Sequence, residues 1–160
     1  MTDDNNYFVW LAEGGRIRTS VRALLFDHEQ ERILVEKNRE IHSPFFNFIG
    51  GGLEVGETMI ECLTRELSEE TNAIISEAKY LFVVEHFTHH EGAVRHGMEH
   101  YFEVRLDRTN VVATNPGLLY EWIPIDHLSH VDLRPHIVRD HIINGSYLSV
   151  RHLLSSKDDS

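Results

Sequence analysis

A single cysteine, Cys62, is all that this chain of 160 residues carries, so no intrachain disulfide can form. A cysteine-based structural zinc site is disfavoured for the same reason. No stretch approaches the roughly 18 consecutive apolar residues that a membrane-spanning helix requires. Positive charge is scarce too: 15 Lys and Arg stand against 26 Asp and Glu, a formal net charge of −11. That balance disfavours general affinity for nucleic-acid backbones or anionic lipid surfaces, so a polyanionic substrate would need local help from a bound cation. The opening residues MTDDNNYF are too polar and acidic for a secretory signal, which makes a cytoplasmic location the expectation. There is no internal repeat, low-complexity tract or interdomain linker, and the length suits one domain. The expected organisation is one domain over 1–160, with an ordered core of roughly 7–154 and polar ends at 1–6 and 155–160.

Periodicity places strands at Ser20–Phe26 and Arg32–Glu36, joined by the polar turn Asp27-His28-Glu29-Gln30. Lys37 to Pro44 reads as a loop, and Phe45 to Ile49 as a short aromatic strand running into Gly50-Gly51-Gly52. A helix is predicted from Thr58 to Thr71, with Ile60, Leu63 and Leu67 as its buried stripe. Further strands are predicted at Ala78–Phe87 and Gly97–Leu106, around a His-rich connection from Thr88 to His96, and at Tyr120–Ile125. A second helix runs from Pro135 to Ile143, with Asn144-Gly145 suited to its end. Strands on both sides of a central helix, with a second helix late, imply an α/β fold with a mixed sheet between helical layers.

The most informative stretch is Gly51 to Ala73, GGLEVGETMIECLTRELSEETNA. In a helix, Glu66, Glu69 and Glu70 stand at i, i+3 and i+4, which crowds three carboxylates onto one face within a turn. Like charges at that spacing repel unless water or a hard cation intervenes, and all-oxygen ligands suit Mg²⁺ or Mn²⁺. A purely solvated acidic face is the blander reading. It is disfavoured because Glu54, Glu57, Glu61, Glu66, Glu69 and Glu70 have only Arg65 as counter-charge among them.

The spacing resembles the Nudix box: Gly, five residues, Glu, seven residues, Arg-Glu, an aliphatic, any residue, Glu-Glu, any residue, Gly, an aliphatic. Gly51, Glu57, Arg65, Glu66, Leu67, Glu69 and Glu70 match it. Asn72 replaces the last Gly and Ala73 a larger aliphatic; Asn is the residue next most willing to adopt the left-handed conformation that ends a helix. The resemblance, extending more weakly over Arg18 to Ile143, implies a Nudix-like α/β/α sandwich and a Mg²⁺-dependent hydrolase, with Mn²⁺ as an alternative. Such an enzyme cleaves a pyrophosphate bond in a nucleoside diphosphate linked to another moiety, or in a nucleoside triphosphate. It implies metal ligands at Glu66, Glu69, Glu70 and the Gly50 carbonyl, and a structural ion pair between Glu57 and Arg65. The general base is less fixed. Glu99 and Glu103, four apart on one strand and so on one face, are the candidates, and Glu99 is preferred; Glu54 could act behind the ligands.

Other features read as structural. Cys62 reads as a packing residue, Phe45, Phe46, Phe48 and Tyr101 as core aromatics that could also stack on a base, and Trp122 as packing near the final helix. Of the 12 histidines, His86, His89, His90, His96 and His100 cluster without paired-ligand spacing, and some could meet substrate phosphates when protonated. The expected partner is a small nucleotide or nucleoside diphosphate derivative, with no nucleic-acid polymer and no membrane, and a homodimer left open. A catalytically silent nucleotide- or protein-binding module is the rival reading. An isoprenoid diphosphate isomerase is the weaker third, since Cys62 lies inside the box helix.

Overall fold

The structure, a computed structural model, describes residues 17–90 and 93–155. In chain order the strands are β1 (Arg18–Phe26), β2 (Arg32–Asn38), β3 (Phe46–Asn47) and β4 (Ile49–Gly52), followed by helix α1 (Met59–Glu70). There follow β5 (Ile75–His90), β6 (Ala93–Leu106), β7 (Leu118–Pro124), a 3-10 turn Ile125–His130 and β8 (Leu133–Arg134). Helix α2 (His136–Ile143), a second 3-10 turn Ser146–Leu148 and β9 (His152–Ser155) complete the order. The sheet runs β8-β3-β2-β1-β6-β5-β9, with β4 also on β1 and β7 on β2. It is mixed: β1–β6, β3–β8 and β5–β9 are parallel, and the remaining ladders antiparallel.

Strand alternation divides the apolar residues between two faces. Val21, Ala23 and Leu25 of β1 pack with Cys62, Leu63 and Leu67 of α1. Leu24 and Phe26 point the other way and pack with Val138 and Ile142 of α2. The result is a helix on each side of one sheet. Strands β1 and β2 pair only near their shared turn, at Leu25↔Leu34 and Phe26↔Ile33; farther along, β1 takes β4 as a neighbour and β2 takes β3. The glycine-rich segment sits in this fork, directly beneath α1.

Five readings of the sequence need correction. The strand predicted at Phe45–Ile49 is broken at Phe48, because β3 pairs with β2 while β4 pairs with β1 and the chain changes partner between them. The Thr88–His96 connection is mostly strand: β5 and β6 continue their ladder to His90↔Ala93, so the histidines ride on a long hairpin. Ile60 is 40% exposed; Cys62 takes its place in the buried stripe with Leu63 and Leu67. Asn72 does not adopt a left-handed conformation. Helix α1 ends instead on an extended Thr71 whose hydroxyl donates to Leu67 O at 2.8 Å, and Asn72 then bonds Val112, accepting its N–H at 2.9 Å on Oδ1. Ser155, read as part of a polar tail, is fully buried in β9; residues 1–16 and 156–160 lie outside the described residues.

Candidate active site

The turn before α1 is shaped by close approaches that only glycine allows. Gly50 has φ +149°, and a Cβ there would overlap the Val21 carbonyl of β1. A Cβ on Gly51 would fall on the Glu66 carboxylate, so that side chain lies against the turn. Helix α1 begins with a capping box: Glu61 N–H donates to Thr58 Oγ1 at 3.3 Å, and Thr58 N–H to Glu61 Oε2 at 2.7 Å. Cys62 Sγ lies 3.5 Å from Gly52 O, and burial, with the nearby Glu57 carboxylate, pushes its thiol up to about 12. A thiol in that state is a packing group.

Arg65 fastens turn to helix. Its Nη2 and Nε donate to the two oxygens of Glu57 at 2.7 and 3.1 Å, and Nη2 also donates to Gly52 O at 3.2 Å. Nη1 reaches Glu66 Oε1 at 2.9 Å, with Glu69 Oε2 at 3.8 Å and Glu54 Oε1 at 4.0 Å. The guanidinium hydrogen bonds, with the Glu54 amide, hold the Glu57 carboxyl down to about 2. Arg65 thus spaces the acids it touches, leaving Glu69 59% exposed and Glu66 14% exposed.

Glu70 points toward β7, where Tyr120 Oη donates to its Oε2 at 2.9 Å. Burial raises the Glu70 pKa against the effect of that hydrogen bond, and the charges of Glu66 and Glu69 add to the rise. Sequence reading missed a neighbour of this pair, Glu36. It is the register partner of Tyr120 across the β2–β7 ladder, its Oε2 is buried, and no hydrogen bond reaches that oxygen. Burial, then the opposing pull of Arg22, then the charges of Glu70 and Glu66 leave its carboxyl raised to about 8. The signal was present in Ile33-Leu34-Val35-Glu36: alternation puts Glu36 on the face of the buried Leu34, an inward position for a charge.

Arg22 fills the fork between β1 and β2. Its Nη1 donates to the carbonyls of Phe48 and Gly50, both at 3.3 Å, and Nε stands 3.5 Å from Glu99 Oε1. Its pKa is raised: burial alone would lower it, but Glu99, Tyr101, Glu36 and Glu66 prevail. Glu99 accepts a hydrogen bond from Tyr101 Oη at 3.1 Å and, with Arg22, lines a cavity of about 210 Å³. Phe45, Asn47, His86 and Arg134 are also in its wall, the Arg134 guanidinium standing 4.2 Å over the Phe45 ring. Glu103 does share the face of Glu99, but it stands 3.8 Å from Arg105, outside the cavity wall. Arg22 links the two groups of acids, its charge interacting with Glu99 on one side and with Glu36 and Glu66 on the other.

The aromatics sort cleanly. Tyr101 and Phe48 are fully buried and meet edge-to-face at 5.5 Å, whereas Phe45 borders the cavity. Trp122, expected near the final helix, instead packs against the α1-side core, on the face of the sheet opposite α2, and donates from Nε1 to Thr109 O at 3.0 Å. Among the histidines, His96 and His152 each contact Glu85, at 3.0 and 3.1 Å, away from the cavity wall. His86 reaches that wall, and the side chains of His89 and His90 lie outside the described residues.

Among the described residues, no three His, Cys, Asp or Glu side chains stand together closely enough to hold a metal ion. The donor set nevertheless fits a hard divalent cation. Every candidate atom is an oxygen, Glu66 lies over a glycine that leaves it room, and Glu36 Oε2 is buried with nothing to bond. Glu66, Glu69, Glu70 and the Gly50 carbonyl are the residues that would hold such an ion.

A family profile described as NUDIX domain matches residues 16–142. The chain is 33% identical over 52 residues to the NAD-capped RNA hydrolase NudC of Vibrio cholerae serotype O1, a match covering 32% of this chain and 19% of that protein. The fold is similar to that of a MutT structure from work on Aliivibrio salmonicida and Vibrio cholerae, with TM-score 0.66 and 20% identity, covering 81% of this chain and 99% of that one. It is also similar to the MutT protein of Bacillus halodurans, with TM-score 0.68 and 17% identity over 90% of this chain and 94% of that one.

Proposed function

The chain belongs to the Nudix family, and we propose from that membership that it is a divalent-cation-dependent pyrophosphohydrolase acting on a small nucleotide derivative. The observation that carries this reading is the α1 acid face held over a glycine turn. Arg65 ties Glu57 and Gly52 to the helix, Glu66 lies against Gly51, and Glu69 and Glu70 follow it on the same helix within one turn. A divalent cation bound there, Mg²⁺ or Mn²⁺, would neutralise phosphate oxygens and lower the pKa of water.

The chain's own residues would do the remainder. Arg22, in the wall of the cavity and bonded to Gly50 O, offers a fixed positive charge to an incoming phosphate. The cavity, with Phe45 beneath the Arg134 guanidinium and Asn47 beside it, suits the planar group attached to the diphosphate. The oxygen of a water attacks phosphorus, the phosphoanhydride P–O bond breaks, and the water's proton passes to Glu99, the preferred base. NudC is named as a hydrolase of NAD-capped RNA; with a net charge of −11, we assign this chain a small nucleotide and no RNA polymer.

A panel of nucleoside triphosphates and nucleoside diphosphate derivatives, incubated with Mg²⁺ and scored for phosphate and pyrophosphate release, tests the reading. Turnover that is lost in Glu69→Gln and Glu70→Gln supports it. No turnover on any compound would favour the binding module, and turnover undiminished by those substitutions would show that the metal site is misassigned. Glu99→Gln retaining nearly full turnover would remove Glu99 as base.

A further inference from the structure

We propose that Glu36, on β2 and outside the sequence motif, is an additional acidic ligand of the cation centre that the α1 carboxylates form, an inference that rests on the function proposed above. The geometry that assigns it is local and specific. Residues 33 to 36 alternate across the sheet, so Glu36 shares the inward face of Leu34 and its carboxylate is directed toward the α1 layer. In register beside it stands Tyr120, which donates its hydroxyl to Glu70 Oε2 at 2.9 Å. Glu36, Tyr120 and Glu70 therefore form one row from β2 through β7 to the C-terminal end of α1.

Glu36 differs from the acids around it in having a buried carboxyl oxygen that no hydrogen bond reaches. Glu57 and Glu66 are held by Arg65, Glu70 by Tyr120, and Glu99 by Tyr101 and Arg22. Glu36 Oε2 is buried and has no hydrogen-bond donor. A buried carboxyl oxygen left unbonded is destabilising; the Arg22 charge offsets part of that cost, and Glu70 and Glu66 add to it. Packing alone does not explain it, since a methionine would fill the same space and leave no buried polar atom unbonded. A divalent cation between β2 and α1 supplies what is missing: an electron-pair acceptor for the free oxygen and two positive charges for the row. It would also bring into one centre acids that now stand apart.

Mn²⁺ binding followed by electron paramagnetic resonance, together with thermal melts in a chelator, tests this without reference to turnover. The wild type should bind Mn²⁺, and Glu36→Gln should bind it about tenfold or more weakly, while melting in chelator close to the wild type because the amide keeps the shape of the carboxyl it replaces. Glu36→Gln binding Mn²⁺ as tightly as the wild type would overturn the inference, as would a large drop in its melting temperature with unchanged affinity. Should Glu36→Gln fail to fold, Glu36→Asp decides: weakened Mn²⁺ affinity supports the assignment, and unchanged affinity overturns it. The two readings fail differently. A wild type with no affinity for Mn²⁺ would sink the proposed function, whereas binding lost in Glu70→Gln but unmoved in Glu36→Gln would sink only the role of Glu36.

Discussion

Arg22 donates from Nη1 to the carbonyl oxygen of Gly50 at 3.3 Å, so the backbone oxygen assigned to the cation already carries a cationic partner. The same guanidinium acts on Glu99, Glu36 and Glu66. It is the organic counter-ion of an acid cluster whose inorganic one is the proposed metal. Replacing it should therefore make the fold depend on the metal. Arg22→Met is expected to lose about 2 kcal/mol of stability in chelator; this is less than for a fully buried pair, because the Arg22 side chain is 24% exposed. Added Mg²⁺ should raise the melting temperature of the variant by more than it raises the wild type's. Equal shifts in the two proteins would separate Arg22 from the cation centre.

The bidentate pair between Glu57 and Arg65 positions residues that would meet the metal without meeting it itself. Glu57→Gln keeps the shape but removes the charge that fixes Arg65, and Arg65 in turn spaces Glu66 and Glu69. Mn²⁺ affinity should fall about tenfold, and the melting temperature should fall modestly. Calorimetric titration of both proteins checks it.

Two substitutions in α1 separate what periodicity could read from what it could not. Leu63 is fully buried, so Leu63→Ala should destabilise by about 3 kcal/mol. Ile60, assigned by spacing to the same buried stripe, is 40% exposed, and Ile60→Ala should change stability by less than about 1 kcal/mol. Urea melts distinguish the two. The box helix, its acids, the turn and the clamp were legible because each is local: spacing along one helix fixes which side chains share a face. Cys62 displaced Ile60 because the packing direction of α1 depends on where the sheet lies, which periodicity does not report.

Tertiary pairing accounts for the other departures. Phe48 interrupts a strand because the chain passes from β2 to β1, and the histidine hairpin stays paired to its tip because β5 and β6 supply each other's backbone partners. Alternation along β2 puts Glu36 on the inward face, but what it faces there appears only once β7 and α1 are placed beside it. Arg22 becomes part of the site only through the fork between β1 and β2. Asn72 donates its backbone N–H to Val112 O at 3.3 Å and accepts the Val112 N–H on its side chain, so its local preference for a left-handed turn has no consequence.

Asp27 provides a pH test remote from the site. Its side chain is 2% exposed and accepts from Arg32 Nε at 2.8 Å and from the amides of Glu31 and Arg32. Burial alone would raise its pKa, but the Arg32 side chain and those amides bring it below the ordinary 3.8. A carboxyl depressed on folding contributes stability that is fully present above the unfolded pKa and is lost as pH falls through the lower folded value. Asp27→Asn should thus be less stable than the wild type by about 1 kcal/mol at neutral pH, since Arg32 is half exposed. The gap should close on acidification below about pH 4. Denaturant titrations across that range measure it, and a gap that widened would reverse the sign assigned here.

Anomalous diffraction from crystals soaked in Mn²⁺ tests the central claim most directly. The account predicts an anomalous peak within bonding distance of Glu66, Glu69 or Glu70 oxygens on the turn-facing side of α1, close to Gly50 O. Well-ordered crystals whose α1 acids all point into solvent, with no peak between helix and turn at saturating Mn²⁺, would contradict it.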